Sequence, residues 1–257
     1  MEPGKNQISD LSGYLYRMQK SMIDKMFFID KIFEPIDYIV DFGCANGELI
    51  KMLQYYFDEY RYVGYDISEK MIREAQKNVP EAEFTADWEG ISIPFDRSLL
   101  NISSVVHEVY SYCTPQDIEL FWHRVFDSGF RYVTIRDMMV SEKENVPASA
   151  EDIEAIRRNS AFARHLADYE SVWGTIKSQR DLAHYLLKYS YTQNWEREVR
   201  EDYLGLSPEA LERLIPDAYR IAYREHYTLP FTAWQIKKDF GIELKTHTHL
   251  KIVLERI

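Results

Sequence analysis

Apolar residues at Ile8, Leu11, Leu15, Met18, Met22, Met26, Ile29 and Ile32 recur every three or four positions, a spacing that predicts an amphipathic helix covering a core. Tyr14 and Tyr16 lie on the same segment, where a lid role is the sharper alternative. The rhythm then changes. Short apolar runs, Tyr38-Ile39-Val40 and Tyr62-Val63-Gly64-Tyr65, alternate with helical spacing that starts at Glu48 and again after Ser68, the latter reaching about Asn78. Strand and helix alternate five times, which demands a mostly parallel sheet with helices on both faces. Thr114-Pro115-Gln116-Asp117 adds a helix start, with a cap, a proline in the first helical position and an acid in the third.

Residues 149 to about 218 break this alternation. Ser149, Ser178, Thr192 and Ser207 each precede a helical pattern, and Pro208 opens the last, so three or four consecutive helices are expected. A strand pattern returns at Ala222 to Leu229, followed by a short helix from Phe231 to Phe240 that Gly241 stops, and by a closing strand from Thr248 to Leu254. So short a connection predicts an antiparallel pair at one edge. The expected organisation is a helical cover over 1–34, a core over 35–140, a helical insertion over 141–220, and C-terminal strands over 221–257 that complete the core sheet. The polar, proline-bearing stretch Val140 to Ala148 marks the boundary.

Composition narrows the class without naming it. The chain has 257 residues, 46% apolar and 28% charged, enough for one sizeable core with an insertion. A net charge of −11 argues against a partner held mainly through phosphates. No apolar run approaches the roughly 20 residues of a membrane span, and the first ten residues lack a signal pattern, so a cytoplasmic protein with no membrane partner is expected. Cys44 and Cys113 are expected to be free thiols, Cys44 as a small buried filler.

The chemistry concentrates in Asp41-Phe42-Gly43-Cys44-Ala45-Asn46-Gly47, which follows a strand pattern and precedes a helix, as a nucleotide-type cofactor loop does. Beyond it, the second apolar run ends in Asp66, where a βαβ unit presents a carboxylate to a ribose diol. A dinucleotide loop wants a small residue at position 48, because the pyrophosphate approaches the helix N-terminus closely. Position 48 is Glu, whose charge would repel it.

The pattern Gly43-x-Ala45-x-Gly47 after Asp41 instead resembles motif I of the class I S-adenosylmethionine-dependent methyltransferases, whose cofactor carries no phosphate. The resemblance extends over roughly 35 to 138 and the last 30 residues. It implies a third strand at Ala82 to Ala86 that delivers Asp87 to the adenine amino group beside Trp88, a fourth at Leu99 to Ser104, and a fifth at Phe130 to Asp137. The implied fold is a doubly wound, mostly parallel seven-stranded α/β sheet with an antiparallel edge pair, an N-terminal helix and an all-helical insertion after strand five. The implied cofactor is S-adenosylmethionine, with Asp41, Gly43, Ala45, Gly47, Asp66, Ile67, Asp87, Trp88 and Ser103 as its binding set.

Val105 to Val109 then resembles the segment lining the methyl-transfer site. A sulfonium methyl is already activated, so holding the acceptor in line is the main task, and a general base adds roughly 10²- to 10⁴-fold. His107 is the first candidate for that base, ahead of Glu108 and Tyr110. His247 and His249 share a strand face, but two ligands complete no metal set, and no metal is expected.

The acceptor is expected to be a small or medium organic molecule methylated at O or N. RNA or a nucleotide is the alternative, and a non-catalytic cofactor-binding scaffold is a third. The aromatic and arginine-rich stretch Lys188 to Arg200 reads as a packed helical face, a small-molecule wall or a base-stacking surface. Ser141 to Leu229 holds 12 basic and 16 acidic residues, which disfavours the last. Tyr185, Tyr189, Tyr191 or Trp195 is expected to face the cleft.

Overall fold

The computed structural model describes residues 21–257, so the periodic positions Ile8 to Met18, with Tyr14 and Tyr16, lie outside the described residues. The described end of that segment is not one continuous helix to Ile32, as its spacing predicted. It is a single turn, α1 (Met22–Lys25), followed by a 3-10 turn at Ile29–Lys31. The chain bends because it must seat on the sheet. Met22 and Phe28 are buried with Ile39 and Leu99, and the backbone N–H groups of Phe33 and Glu34 donate to the Tyr132 hydroxyl.

The sheet contains β1 (Tyr38–Phe42), β2 (Arg61–Tyr65), β3 (Glu83–Thr85), β4 (Ser98–Ser103), β5 (Tyr132–Met138), β6 (Tyr219–Tyr227) and β7 (His249–Arg256) in the order β3-β2-β1-β4-β5-β7-β6. The first five strands are parallel, and β7 runs antiparallel to both β5 and β6. Helices α2 (Glu48–Tyr56), α3 (Glu69–Asn78), α4 (Val106–Tyr112) and α5 (Pro115–Asp127) connect the parallel strands. Inner strands are apolar on both sides because both sides are covered. Val40, Leu100, Ile102, Val133 and Ile135 enter one core, whereas Ile39, Leu99 and Tyr132 enter the other. Each such side chain contributes roughly 1.5–3 kcal/mol of burial. The seven-stranded, doubly wound sheet with an antiparallel edge pair is the fold expected. Its strand order reverses between β1 and β4, and the crevice at the carboxyl ends of those strands is where such sheets bind ligands.

Two caps form as read: Ser68 Oγ accepts from the Met71 N–H, and Thr114 and Asp117 complete a reciprocal capping box. The helical block between β5 and β6 comprises α6 (Ala150–Arg158), α7 (Ala163–Trp173), α8 (Gln179–Lys188), α9 (Trp195–Glu198) and α10 (Pro208–Leu214). Ser149, Ser178 and Ser207 cap their helices. Thr192 does not, because α9 begins later, behind Asn194. Helix α7 is preceded by Phe162, which offers no side-chain cap, so its start carries none of the usual signals. Strand β6 begins at Tyr219 rather than Ala222, since the buried Tyr219 anchors its start through a hydroxyl bond to the Phe130 carbonyl and a bulge lies between Ile221 and Tyr223.

Helix α11 (Pro230–Phe240) ends at Gly241 in the left-handed region, φ 74°, as its sequence predicted. It does not pack as part of the sheet core. Ile236 and Phe240 join Leu166, Tyr185, Tyr189 and Trp195 in a third core that unites α11 with the helical block. Among the described residues, no helix is long and apolar enough to cross a membrane.

Candidate active site

The turn after β1 is built around backbone geometry that side chains restrict. Gly43 has φ 76°, and a Cβ there would stand 2.5 Å from Val105 Cγ2. Gly47, φ 78°, closes the turn and caps α2. Ala45 is also left-handed, φ 47°, at a cost of roughly 1–2 kcal/mol. Its N–H is held at 3.0 Å by Asp66 Oδ2, while Asp66 Oδ1 accepts from the Ser68 N–H at 2.8 Å. Asp66 therefore clamps the turn and still has lone pairs free. Burial raises its pKa, against the two backbone bonds. Asp41, buried beneath the turn, is pushed up to about 6 by burial despite the 2.7 Å bond from Asn101 Nδ2.

Gly43→Ala is expected to destabilise the fold by about 1–2 kcal/mol through φ alone, and further through Val105. Urea unfolding of Gly43→Ala with Val105→Ala should remove the second part and leave the first.

The turn's fit to a cofactor can be judged from its own atoms. Glu48, the first residue of α2, holds its carboxylate at the helix start through a 2.8 Å bond from Asn78 Nδ2. A pyrophosphate would meet that charge. Ile67 beside Asp66 is 64% exposed, a bare apolar side chain next to a carboxylate, and Asp87 is exposed at the end of β3. Ser103 Oγ is buried in the cavity wall with no hydrogen-bond partner among the described residues. These features fit an unphosphorylated nucleoside with a polar tail. Trp88 points the other way, into the core among Phe42, Tyr65 and Phe130.

A cavity of about 710 Å³ opens from Gly43, Ser103 and Ser104 across the ends of β4 and β5 to α8, α9 and α11. Both His107 and Glu108 line it. Of the four aromatics expected to face it, Tyr189 and Tyr191 do; Tyr185 and Trp195 pack inside the helical core. Residues that the sequence did not assign to the cavity complete the wall. They are Lys25 from α1, Arg136 from β5, Arg197, Glu198 and Glu201 from and just after α9, and His249 from β7.

Most of these charges are paired. His107 Nδ1 lies 2.7 Å from Asp137 Oδ1, the His107 N–H donates to Oδ2, and Nε2 stands 3.9 Å from Glu201. Burial disfavours the imidazolium, but the Asp137 charge and its bond outweigh it and raise His107 to about 9. Arg197 Nη2 bridges Glu108 and Glu201, each at 2.8 Å, tying the helical block to α4. Burial, with the Glu198 charge beside it, raises Glu201 to about 7. Arg136 pairs with Asp24 at 2.8 Å and donates to Ser104 Oγ at 2.9 Å. Lys25 is almost fully buried, and burial lowers it to about 8.

This pairing predicts a pH profile. His107 is raised on folding, so its stabilisation is full below its unfolded value of 6.5 and is lost as pH climbs through about 9. Glu201 is raised too, so its share is full below 4.5 and is lost through about 7. Melting temperature is expected to fall in two steps as pH rises, one between 4.5 and about 7 and one between 6.5 and about 9, and His107→Gln should abolish the upper one.

Among the described residues no group of three or more His, Cys, Asp or Glu is placed to hold a metal. The His247 ring lies tilted against His226, and His249 lines the cavity wall. Cys44 is a buried free thiol, as expected of a filler, and Cys113 is free and half-buried.

Residues 39–128 match a family model described as a methyltransferase domain. No curated protein sequence matches the chain. Among solved structures, the plantazolicin methyltransferase BamL superposes with a TM-score of 0.55 at 12% identity, covering 95% of this chain and 89% of its own. A geranyl diphosphate C-methyltransferase from Streptomyces coelicolor A3(2) gives 0.55 at 10%, covering 98% and 87%. The magnesium protoporphyrin IX methyltransferase of Synechocystis PCC 6803 gives 0.50 at 14%, covering 98% and 90%. At such identities the superpositions speak for the fold, and the matched domain speaks for the chemistry. Over residues 39–128 the chain is thus similar to a methyltransferase domain, set in a fold shared with solved methyltransferases.

Proposed function

We propose that the chain transfers a methyl group to an O or N atom of a small or medium organic acceptor held in the cavity at the β4–β5 edge. The observation that carries this reading is the cavity. At about 710 Å³ it falls in the range of small-molecule sites, and it reaches the cofactor turn at Gly43 and Ser103. Glu108, Glu198 and Glu201 share its wall with Lys25, His107, Arg136 and Arg197, a mixed and largely paired set rather than the cationic surface that an RNA backbone requires. The fold neighbours carry names that refer to plantazolicin, magnesium protoporphyrin IX and geranyl diphosphate, none of them an RNA.

The residues present fit S-adenosylmethionine. Asp66 would take the ribose diol, Ile67 and Asp87 the adenine, and Gly43, Ala45, Gly47 and Ser103 the polar tail, with Asp41 supporting the turn from below. Bound there, the cofactor supplies an electrophilic methyl. The protein's own part is to orient the acceptor, exclude water beneath α8 and α11, and manage one proton. His107 and Glu108 frame the reaction edge, but His107 is an imidazolium at neutral pH and offers a lone pair only above about 9. Its Asp137 pair makes it an electrostatic element of the wall.

The test is methyl-labelled cofactor incubated with the protein and with separated small-molecule and RNA fractions of a cell extract. Label is expected in the small-molecule fraction. Label confined to RNA would replace this acceptor class with the other.

A further inference from the structure

Two imidazoles line the cavity, and they are held differently. His107 has both ring nitrogens facing carboxylates, Asp137 at 2.7 Å and Glu201 at 3.9 Å. His249 opens β7, paired with Met138 at the end of β5, and is 4% exposed. Its Nδ1 lies 2.9 Å from Thr248 Oγ1, its ring sits against Tyr227 at 5.8 Å, and its Nε2 hydrogen-bonds to no described residue. A buried imidazole with one nitrogen anchored and the other unused in a cavity wall is placed to meet a ligand.

We propose that His249 is a catalytic residue whose Nε2 accepts the hydrogen bond of an acceptor hydroxyl, aims the oxygen lone pair, and takes the proton as the methyl is transferred. This rests on the methyltransferase reading. The bonds balance without another reactant. The acceptor oxygen bonds to the methyl carbon, the carbon–sulfur bond breaks with its pair going to sulfur, and the hydroxyl proton moves to Nε2. The positive charge lost at sulfur is regained on the imidazole, so the cavity's net charge does not change.

The surroundings keep His249 neutral beforehand. Burial is the largest influence and pushes it well below the ordinary imidazole value. Arg136 on β5 and His107 on α4 push the same way, while Asp137 on β5 and Asp24 on α1 oppose them. Tyr227 on β6 and Lys251 on β7 complete the neighbours, Lys251 being paired with Asp24. A neutral ring accommodates a sulfonium nearby, where a second cation would not. The same weak basicity selects the acceptor. An oxygen that gains a methyl while still protonated is a far stronger acid than a buried imidazolium and yields its proton to Nε2. A methylated alkylamine is the weaker acid and keeps its proton. The site therefore fits an alcohol or phenol better than an amine.

Heteronuclear NMR of isotope-labelled histidines in the full chain, saturated with S-adenosylhomocysteine, tests this directly. His249→Gln assigns the resonance, and Thr248→Val, which removes only the Nδ1 partner, provides the assignment should the first variant fail to fold. His249 is expected to be neutral at pH 7 with its proton on Nδ1, while His107 is charged. Phenol, added as the hydroxyl probe, should move the Nε2 resonance upfield, and toluene should not. A charged His249, a proton on Nε2, or an Nε2 that phenol leaves unmoved overturns the proposal. Calorimetry of S-adenosylhomocysteine on the same sample reports separately on the cofactor reading.

Discussion

Asp137→Ala is expected to cost about 3–5 kcal/mol of stability, because it leaves a buried imidazolium without its counter-charge. Asp137 is fully buried and accepts from His107 Nδ1, the His107 N–H and the Met138 N–H. Burial works against its charge, yet the His107 cation and these bonds hold its pKa below the usual carboxylate value. Such a loss is a large share of the roughly 5–15 kcal/mol that keeps a domain folded. Urea unfolding measures it. The exposed pair of Arg97 with Asp37 at 2.8 Å is the control, and Asp37→Ala should cost no more than about 1 kcal/mol. Equal losses in the two variants would mean that the buried His107–Asp137 pair contributes no more than an exposed one.

Asp66→Ala is expected to weaken S-adenosylhomocysteine binding by about tenfold to a hundredfold. A charge-assisted hydrogen bond is worth about 1.5–3 kcal/mol, and each 1.4 kcal/mol is a factor of ten. The upper part of that range is favoured, because Asp66 also holds the Ala45 N–H and with it the left-handed turn. Asp66→Asn separates the two contributions, since an amide oxygen still accepts from Ala45 but offers the ribose no charge. Calorimetry on folded protein, verified by its unfolding midpoint, provides the readout.

The parts of the molecule legible in sequence are those that local chain geometry determines. Gly43, Ala45 and Gly47 all have positive φ, and that requirement shows as small residues at fixed spacing. Glu48 stands where a pyrophosphate would be, and the structure leaves it there. Caps at Ser68, Thr114, Ser149, Ser178 and Ser207 were legible because a hydroxyl before a helix has a local partner. Adjacency was less informative. Asp87 and Trp88 follow one another, but neighbouring side chains on an extended chain point to opposite sides, so one is exposed and the other is core. The same limit separates Tyr189 and Tyr191, which reach the cavity, from Tyr185 and Trp195, which do not.

The charged wall was legible only in fragments. His107 was marked by its position after β4, but its state is set by Asp137, which β5 brings alongside, and by Glu201, which the helical block brings from above. Arg197 pairs across the same gap. His249 reads in sequence as half of an incomplete metal pair, and its place in the cavity follows from the antiparallel register of β7 on β5. Ion pairs between distant segments leave no periodicity and no spacing rule, so tertiary structure alone reveals them.

The central claim is that the turn around Gly43 holds an unphosphorylated nucleoside cofactor. Titrating the wild-type protein with S-adenosylhomocysteine and with NADH in parallel calorimetric runs tests it most directly. Saturable heat with S-adenosylhomocysteine, none with NADH, and a loss of the first in Asp66→Ala is the result this account predicts; binding of NADH with no response to S-adenosylhomocysteine would contradict it.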